Sequence, residues 1–420
     1  MDLEQFDNAL RPVTDGGVTS PAGFRVGAVA AGIRAGSSAP DLAVLLTEEP
    51  VPASAVFTTS SFAAAPVRVS RANLAHGGGA GLVQAVVLNA GNANAATGEA
   101  GLACARETCE IAAQILGCDP SQVLVASTGP IGVPLGIEPF DTMLPEVIDA
   151  AGPQGGADAA RAIMTTDTHP KECAISYASK VLAYADRTFT VGGMCKGSGM
   201  VMPNMATLIA VITTDAPVSQ SSLQRILKEC VARTFNKVTV DSDSSTNDTC
   251  IMLSSGAAGA DAPTIEPGTE AFEELSYVAL QVCETLARQI AADGTGASKL
   301  VTVRVSGAVN ADDADATARA VATSPLVKAQ IAGRVCAVGP VLAALGRSGA
   351  TFEQEDVDVD LMGIPACRAG VALAIDADEA ARRFEAGEIV ISIDLGAGEA
   401  ETTIWTCDLT AGYVEHAARR

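Results

Sequence analysis

The sequence predicts an α/β or α+β protein built as a layered sandwich, in which helices cover mixed β-sheets. Apolar runs of strand length alternate with segments of helical periodicity along most of the 420 residues. Ala and Gly are abundant and aromatic residues make up only 4% of the chain, so small aliphatic side chains should form the core. No dinucleotide-binding fingerprint or P-loop accompanies this alternation.

The first third of the chain is predicted to be rich in strands. Five apolar runs have the length and residue types of β-strands, at 21–29, 41–47, 55–59, 65–70 and 85–88. Leu102, Ala105 and Cys109 then lie near one stripe of a helix predicted at 100–117, which Gly117 ends. A further strand is predicted at 123–126.

The remainder of the chain continues the same alternation. Ser221 is placed to cap a helix in which Leu223, Ile226 and Val231 have helical spacing. Residues 270–290 form the clearest helix because they have one apolar face, and another helix is predicted at 311–323. The predicted strands lie at 208–212, 250–253, 300–305, 389–394 and 402–406.

Charge and hydropathy limit the partners that this chain can have. The formal net charge of −22 disfavours nucleic acids and anionic membrane surfaces. No apolar run approaches the ~20 residues that span a bilayer, and the acidic N-terminus lacks the apolar region of a signal peptide. We therefore expect a cytoplasmic protein without nucleic-acid or membrane partners.

The eleven cysteines are interpreted as buried, reduced thiols. None forms a C-x-x-C pair and only three histidines are present, so we expect no zinc site and no other metal site. Cys195 alone invites a nucleophilic interpretation, because the adjacent Lys196 could lower its pKa. No histidine partner is apparent in the sequence, which favours a structural role for Cys195.

The central stretch, residues 196–215, is the segment most suggestive of catalysis. Residues 196–200 are rich in glycine and lead towards the apolar strand at 208–212. A threonine inside a chain is a poor nucleophile, whereas an N-terminal threonine can use its own α-amino group as the base. Cleavage between Ala206 and Thr207 would create that arrangement. From the residues alone, a glycine loop with an ordinary threonine at the strand entrance is the simpler interpretation, since short motifs recur by chance.

The same stretch resembles the self-cleaving centre of the ornithine acetyltransferase family, the bifunctional glutamate or amino-acid N-acetyltransferases. That family carries K-G-S-G-M-x-x-P-N-M-A-T-[LM] and cuts itself before the threonine, and residues 196–208 match this pattern throughout. The resemblance implies cleavage between Ala206 and Thr207, with Thr207 as the nucleophile and Lys196 in contact with the substrate. It also implies a DmpA-like sandwich fold, divided by self-cleavage into an N-terminal chain, 1–206, and a C-terminal chain, 207–420.

Residues 127–132 resemble the family's S-T-G-x-I-G turn. The resemblance implies that the hydroxyl of Thr128 and the backbone N–H of Gly129 form an oxyanion hole. The chemistry is coherent, because acyl transfer concentrates negative charge on one oxygen that two such donors would stabilise. Without the resemblance, a turn at the end of a strand would be the better interpretation.

Two other segments resemble family elements. Residues 165–172 are similar to T-T-D-T-x-P-K-E, which implies that Thr168 touches the substrate; we interpret His169 as a residue of the pocket rim rather than a base. Residues 89–98 are similar to N-[SA]-G-N-A-N-x-x-T-G. Their amides either line a pocket or stabilise a loop and cap the helix that follows.

Asp241, Asp243 and Asp248 lie close together in the sequence and invite comparison with a calcium-binding loop. The glycine and the terminal glutamate of an EF-hand loop are missing at the required spacing. We therefore predict a hydrogen-bonded polar turn that supports the active site.

Three places depart from the family pattern. Thr295 stands where the family has a glutamate that binds substrate, and residues 334–340 replace a D-P-N-W-G-R segment. The C-terminal residues 416–420 do not provide the polar contacts of the family's tail. Loss of a charged hydrogen bond typically costs a few kcal/mol of binding, so the choice of substrate is expected to differ.

The predicted function is a self-processed acyltransferase that moves an acetyl group from an N-acetylornithine-like donor to a glutamate-like amine. Acetyl-Thr207 is the expected intermediate, the kinetics should be ping-pong, and the transfer itself should require no cofactor. The resemblance implies two αβ units, a heterotetramer, or a larger assembly. The alternatives are an amidase or peptidase of the same nucleophile class, and a processed homologue that is not catalytic.

Overall fold

The computed structural model describes residues 6–7, 9–76, 81–202 and 208–418. Within this part of the chain, the residues divide into two compact units. The first unit is drawn from 1–197, 204–236 and 244–286, and the second from 198–203, 237–243 and 287–420. The predicted division into chains 1–206 and 207–420 refers to a cleavage site, whereas the two compact units are defined by packing. The division at this cleavage site stays a prediction.

The first unit contains a mixed sheet, in which the β4–β5 and β8–β9 pairs are parallel and the other neighbours are antiparallel. The strand order is β1-β6-β7-β8-β9-β3-β4-β5, and β2 pairs with β3. The strands are β1 (Leu10–Pro12), β2 (Arg25–Val29), β3 (Leu42–Phe57), β4 (Leu82–Ala90), β5 (Val123–Thr128), β6 (Lys171–Ala178), β7 (Thr188–Lys196), β8 (Ile209–Thr214) and β9 (Thr249–Ser254).

The long strand β3 joins two halves of this sheet. Its first part pairs with β2 and β4, its second part pairs with β9, and the register shifts between Leu46 and Val51. Pro50 lies within that shift and has no N–H to donate to a ladder. Side chains from both halves, including Leu124 and Val211, form one buried core. The two strands predicted at 41–47 and 55–59 are therefore parts of one strand.

Six helices of the described chain belong to the first unit, and several of them pack on its strands. They are α1 (Ala65–Ala75), α2 (Gly98–Leu116), α3 (Glu138–Asp149), α4 (Gly156–Ala162), α5 (Gln220–Arg233) and α6 (Glu270–Ala292), the last of which continues into the second unit. Leu102 and Leu144 of α2 and α3 pack on the β4–β5 half. The thiol of Cys195 on β7 donates to the carbonyl oxygen of Leu286 on α6 at 3.7 Å. The predicted architecture, in which helices cover mixed β-sheets, is confirmed.

Two local predictions are wrong. The strand predicted at 65–70 is the start of α1, because Pro66 occupies the first turn of a helix, where its fixed φ is favourable. The helix predicted to begin at Ser221 is instead capped by Ser219, whose hydroxyl accepts the N–H of Ser222.

The second unit is a six-stranded sheet in the order β13-β12-β11-β14-β10-β15. Its strands are β10 (Leu300–Ala308), β11 (Asp358–Leu361), β12 (Ile364–Arg368), β13 (Val371–Ala372), β14 (Glu388–Asp394) and β15 (Ala400–Cys407). Its helices are α7 (Ala311–Ala322), α8 (Pro325–Ala332), α9 (Gly339–Gly346), α10 (Ala377–Arg383) and α11 (Ala411–Ala417). Val303, Ile391 and Ile404 of the sheet share a core with Val321 of α7 and Leu345 of α9.

Short 3-10 turns connect several of these elements, at Pro120–Gln122, Leu182–Tyr184, Phe235–Lys237, Ala257–Gly259 and Gln354–Asp356. Among the helices that the structure describes, none has both the length and the apolar character needed to cross a membrane.

Candidate active site

The two residues predicted to hold an oxyanion are the last residue of β5 and the residue that follows it. Thr128 is the last residue of β5 and is buried, and it lies opposite Ala90 on the parallel strand β4. Gly129 has a φ of +144°, which L side chains rarely adopt. A Cβ at this position would overlap the backbone nitrogen of Asn92. The local backbone therefore requires glycine at 129.

The amides of the 89–98 segment hydrogen-bond within their own loop and to nearby backbone. The side chain of Asn92 accepts the N–H of Asn94 at 2.8 Å, and Asn94 donates to the carbonyl oxygen of Gly101 at 3.0 Å. The hydroxyl of Thr97 donates to Asn94 at 2.7 Å, and Thr97 makes no side-chain capping bond to α2. These contacts favour the loop-stabilising interpretation over a pocket lined by amides.

A polar turn at 244–248 supports the same region. Nδ2 of Asn247 donates to the carbonyl oxygens of Ala93 at 2.6 Å and Ser127 at 2.8 Å, which links the turn to both the 89–98 loop and the Thr128–Gly129 turn. No group of three or more metal-ligating side chains exists among the described residues. The bonds of Asn247 make this a hydrogen-bonded polar turn, whereas its support of an active site stays a prediction.

Lys196 belongs to a buried charge cluster of two ammonium groups and one carboxylate. Oδ1 of Asp167 lies 2.7 Å from Nζ of Lys171 and accepts the N–H of Gly197 at 2.8 Å. Oδ2 of Asp167 lies 3.8 Å from Nζ of Lys196 and accepts the N–H of Thr165 at 3.0 Å. Sequence reasoning missed Asp167 and Lys171 as partners of Lys196. Lys171 begins the strand β6, so the spacing of four residues is not the helical signal for an ion pair.

The electrostatics of this cluster favour a charged Asp167. Burial alone would raise the pKa of its carboxyl group, but Lys196 and Lys171 outweigh burial and hold that pKa well below its usual range. The three side chains together carry one net positive charge in a buried place. Such a charge favours the binding of an anionic group.

Thr168 and His169 follow the cluster and are exposed. The hydroxyl of Thr168 lies 3.0 Å from Nδ1 of His169. This exposure agrees with the interpretation of His169 as a rim residue. Contact between Thr168 and a substrate stays a prediction.

The start of β8 is held between β7 and β9. Ile209 pairs with Lys196 on β7 and with Thr249 on β9, so all three lie at one end of the sheet. The N–H of Leu208 donates to Oδ1 of Asp248 at 3.0 Å, and its carbonyl oxygen accepts the N–H of Thr249 at 3.0 Å. The predicted cleavage residues, Ala206 and Thr207, lie outside the described residues, immediately before Leu208.

Thr295, in the second unit, is engaged with the glycine-rich stretch. Its N–H donates to the carbonyl oxygen of Ser198 at 2.7 Å, and its hydroxyl donates to the same oxygen at 3.1 Å. Gly296 has a φ of +70°, and a Cβ there would overlap the backbone of Tyr413 at the start of α11. The hydroxyl of Thr410 donates to the carbonyl oxygen of Gly296 at 2.5 Å. The C-terminal residues thus pack on the loop that carries Thr295.

The cysteines behave as structural thiols. All eleven are free, and most of them are buried. Cys195 is 1% exposed, and burial raises the pKa of its thiol far above the usual value despite the neighbouring lysines. Cys195 is therefore not an activated nucleophile.

Comparison with known proteins decides the family. The model of the ArgJ family matches residues 25–419. The chain belongs to the ArgJ family. This membership confirms the resemblance carried by residues 196–208, and with it the predicted class of enzyme, an N-acetyltransferase of the ornithine acetyltransferase type.

Several ArgJ relatives are similar over almost their whole length. The arginine biosynthesis bifunctional protein ArgJ of Symbiobacterium thermophilum is 45% identical over 401 residues, which cover 95% of this chain and 97% of the relative. The protein of the same name from Dehalococcoides mccartyi is 41% identical over 403 residues, covering 96% of each chain. A crystal structure of ornithine acetyltransferase complexed with ornithine, from Mycobacterium tuberculosis, is 36% identical with a TM-score of 0.41, covering 48% of this chain and 100% of that chain.

Proposed function

We propose that the chain is a self-processed acetyltransferase that carries the acetyl group on Thr207. The donor is an N-acetyl amino acid similar to N-acetylornithine, and the acceptor is the amine of an amino acid similar to glutamate. The observation that carries the proposal is the match of the ArgJ family model to residues 25–419, within which residues 196–208 retain the whole self-cleavage pattern.

Self-cleavage is the first step. It breaks the peptide bond between Ala206 and Thr207 and yields the chains 1–206 and 207–420. Thr207 then has a free α-amino group, which can act as the base for its own hydroxyl. Support for this step comes from Leu208, whose N–H and carbonyl oxygen are both held by the turn at the start of β9.

The first half of the transfer forms acetyl-Thr207. The α-amino group takes the hydroxyl proton while Oγ attacks the acetyl carbonyl carbon. The hydroxyl of Thr128 and the N–H of Gly129 donate to the oxygen that becomes negative. The amide C–N bond then breaks, and the proton passes from the α-ammonium group to the departing amine.

The second half returns the enzyme to its starting state. An incoming amine attacks the ester carbonyl carbon, the bond to Oγ breaks, and the proton that the amine loses passes through the α-amino group to Oγ. Because the donor product leaves before the acceptor reacts, the kinetics are ping-pong. The transfer needs neither a metal nor another cofactor.

Lys196 is proposed to attract a substrate carboxylate. Support comes from the net positive charge of the cluster formed with Asp167 and Lys171. Thr168 is proposed as a second substrate contact on the exposed side of this cluster.

The substrate preference is proposed to differ from that of family members with a glutamate at the position of Thr295. The hydroxyl of Thr295 is engaged with Ser198 and lacks the negative charge that would pair with a substrate ammonium group. A panel of N-acetyl amino acids, tested with glutamate as acceptor, measures this preference. Ordinary efficiency with N-acetylornithine would contradict the proposed shift.

Denaturing electrophoresis and intact-mass measurement test the first step. We expect two fragments, one ending at Ala206 and one beginning at Thr207, whereas Thr207→Ala should remain a single chain. An uncut wild-type chain that still transfers acetyl groups would contradict the mechanism.

Product analysis with and without an amine acceptor tests the second step. Acetylated acceptor is expected; free acetate in equal amount with and without acceptor would indicate an amidase. Absence of a trapped acetyl group on Thr207 would indicate a processed chain without turnover.

Two αβ units and a cytoplasmic location complete the proposal, and both rest on the family resemblance. Because the unprocessed chain has a mass of 42.4 kDa, two units would total about twice that value. Light scattering during size-exclusion chromatography tests the assembly; the mass of a single αβ unit would contradict it.

A further inference from the structure

The loop between β2 and β3 is held against the end of β4 by Asp41, whose side chain is completely buried. Its Oδ1 accepts the N–H of Ala31 at 2.6 Å, and its Oδ2 accepts the N–H of Arg34 at 2.7 Å. The carbonyl oxygen of Asp41 accepts the N–H of Ala90 at 2.9 Å, and Ala90 lies opposite Thr128 in the sheet. The backbone of Arg34 is thus fixed near the end of β5.

Gly91 allows the backbone of Arg34 to come close to the Thr128–Gly129 turn. Gly91 has a φ of +95°, and a Cβ there would lie 2.7 Å from the Cα of Arg34. A Cβ at Gly129 would in turn lie 2.6 Å from the carbonyl carbon of Gly91. The backbones of Arg34, Gly91 and Gly129 are therefore packed in one row, beside the donors proposed for the oxyanion.

The side chain of Arg34 reaches the segment that leads to the buried charge cluster. Its Nη2 donates to the carbonyl oxygen of Met164. The next residue, Thr165, donates its N–H to Oδ2 of Asp167, and the same oxygen lies 3.8 Å from Nζ of Lys196. The guanidinium group therefore connects the end of β5 with the cluster that contains Lys196, and the proposed function uses both.

Most of the hydrogen-bonding capacity of this guanidinium group is unused. An arginine side chain has five N–H donors in a planar fork, and Arg34 uses Nη2 on Met164. Within the described part of the chain, no carboxylate forms an ion pair with Arg34, and the residue is partly buried. A partly buried cation without an ionic partner, near a second cation at Lys196, suits a ligand that carries two carboxylates.

We propose that Arg34 binds the side-chain carboxylate of the acceptor and thereby selects glutamate-like amino acids. Glutamate carries a carboxylate at the end of its side chain, where an ornithine-like donor carries an ammonium group. Lys196 attracts one carboxylate of the acceptor, and the fork of Arg34 matches the geometry of the second. This inference rests on the proposed function, because it explains which acceptor the second half of the transfer takes.

Arg34→Gln and Arg34→Lys are the informative variants, and Arg25→Gln is their matched control. Glutamine removes the charge but retains an amide donor, whereas lysine retains the charge but lacks the fork. Arg25 is exposed at the other end of β2, where it pairs in register with Leu46. The backbone N–H of residue 34 can still reach Asp41 in both variants, so we expect melting temperatures close to that of the wild type.

The acceptor preference is measured by transfer from N-acetylornithine to glutamate and, separately, to glutamine. Glutamine has the same length as glutamate but has an uncharged amide in place of the side-chain carboxylate. We expect Arg34→Gln to lower the ratio of kcat/KM for glutamate to that for glutamine about 10- to 100-fold, through a higher KM for glutamate. Arg34→Lys should lower this ratio less, and Arg25→Gln should leave it unchanged.

The first half of the transfer provides an internal control. N-acetylornithine has no second carboxylate, so Arg34→Gln should release ornithine in a single turnover as fast as the wild type does. Slower release together with an unchanged acceptor ratio would show that Arg34 only supports the surrounding loops, and the inference would be overturned.

Equal losses of kcat/KM with glutamate and glutamine would also overturn the inference, and so would a wild type that does not prefer glutamate. If the wild type acetylates neither acceptor, the proposed function itself fails. If the wild type acetylates glutamate preferentially and Arg34→Gln keeps that preference, the inference on Arg34 fails alone.

Discussion

The backbone nitrogen of Asn92 occupies the space that a Cβ of residue 129 would need. Gly129 also has a φ of +144°, so both sterics and backbone conformation require glycine at this position. The close contact between the backbones of Gly129 and Asn92 places the 89–98 loop against the end of β5, beside Thr128. Glycine at 129 thus serves the geometry of the turn in addition to its proposed role as a donor.

Gly129→Ala is expected to abolish most of the transfer activity. The added Cβ must displace either residue 129 or the Asn92 backbone, which moves the N–H proposed to stabilise the oxyanion. Removal of one such donor costs about 100- to 1,000-fold in kcat, and we expect a loss of at least that size. Initial rates of acetyl transfer by the processed protein provide the measurement.

Gly132→Ala is the matched control for this prediction. Gly132 lies in the same turn and has a φ of +80°, but a Cβ there would meet no atom within 4 Å. This variant bears conformational strain without the overlap and should retain most activity. Equal losses in the two variants would show that strain alone, rather than the position of the Gly129 N–H, explains the effect.

Asp167→Asn is expected to destabilise the protein strongly. The substitution leaves Lys171 and Lys196 buried without their carboxylate, and breaking a buried ion pair typically costs about 3–5 kcal/mol. Adding Lys171→Met should recover part of the loss, because one uncompensated charge is then removed. Urea unfolding of Asp167→Asn, Lys171→Met and the double variant measures the changes in the free energy of unfolding that a double-mutant cycle compares.

A surface pair provides the control for the buried cluster. Arg161 and Asp158 lie 2.8 Å apart with more than half of each side chain exposed. Asp158→Asn should therefore cost at most about 1 kcal/mol. A comparable cost for Asp167→Asn would contradict the assignment of a strongly coupled buried cluster.

The buried cluster also shows why part of the site could not be predicted from the sequence. Lys171 pairs in register with Cys195 on β7, so the proximity of Asp167, Lys171 and Lys196 depends on the pairing of β6 with β7. Sequence analysis missed both strands. Gly192 and Gly193 interrupt the apolar pattern of β7, yet a Cβ on Gly193 would crowd Ile212 and Leu286. Close packing, rather than a turn, explains that glycine.

The elements predicted well are those that local patterns determine. Residues 98–116 form α2 with an apolar stripe, and Gly117 ends it in a left-handed conformation with a φ of +72°. Residues 127–132 form the expected turn because strand, threonine and glycine are adjacent in the chain. The strand predicted at 65–70 failed because a short apolar run has no periodicity that separates helix from strand.

Asp167 and Asp248 are expected to show opposite effects of pH on stability. The pKa of Asp167 is lowered in the folded state, so its stabilising contribution is present above the unfolded pKa of about 3.9 and is lost as the pH falls towards the folded value. The pKa of Asp248 is raised, so its contribution is greatest at pH below about 3.9 and is lost as the pH rises through the folded value.

Urea unfolding of Asp167→Asn and Asp248→Asn between acidic and neutral pH tests this contrast. The free-energy advantage of the wild type over Asp167→Asn should shrink as the solution becomes more acidic. Its advantage over Asp248→Asn should shrink, or reverse, as the solution becomes less acidic. Differences that change in the same direction for both variants would contradict the assigned protonation states.

Thr295→Glu is expected to increase the preference for substrates that carry a side-chain ammonium group. A carboxylate at this position would supply the charged partner that the hydroxyl, engaged with Ser198, lacks. Hydrogen bonds to charged groups contribute about 1.5–3 kcal/mol, which corresponds to roughly a 10- to 150-fold lower KM for an N-acetylornithine-like donor. Thr295→Gln is the control, because it has nearly the same size without the charge, and it should lower KM far less. If both variants change KM equally, or if neither does, residue 295 does not determine the choice of donor.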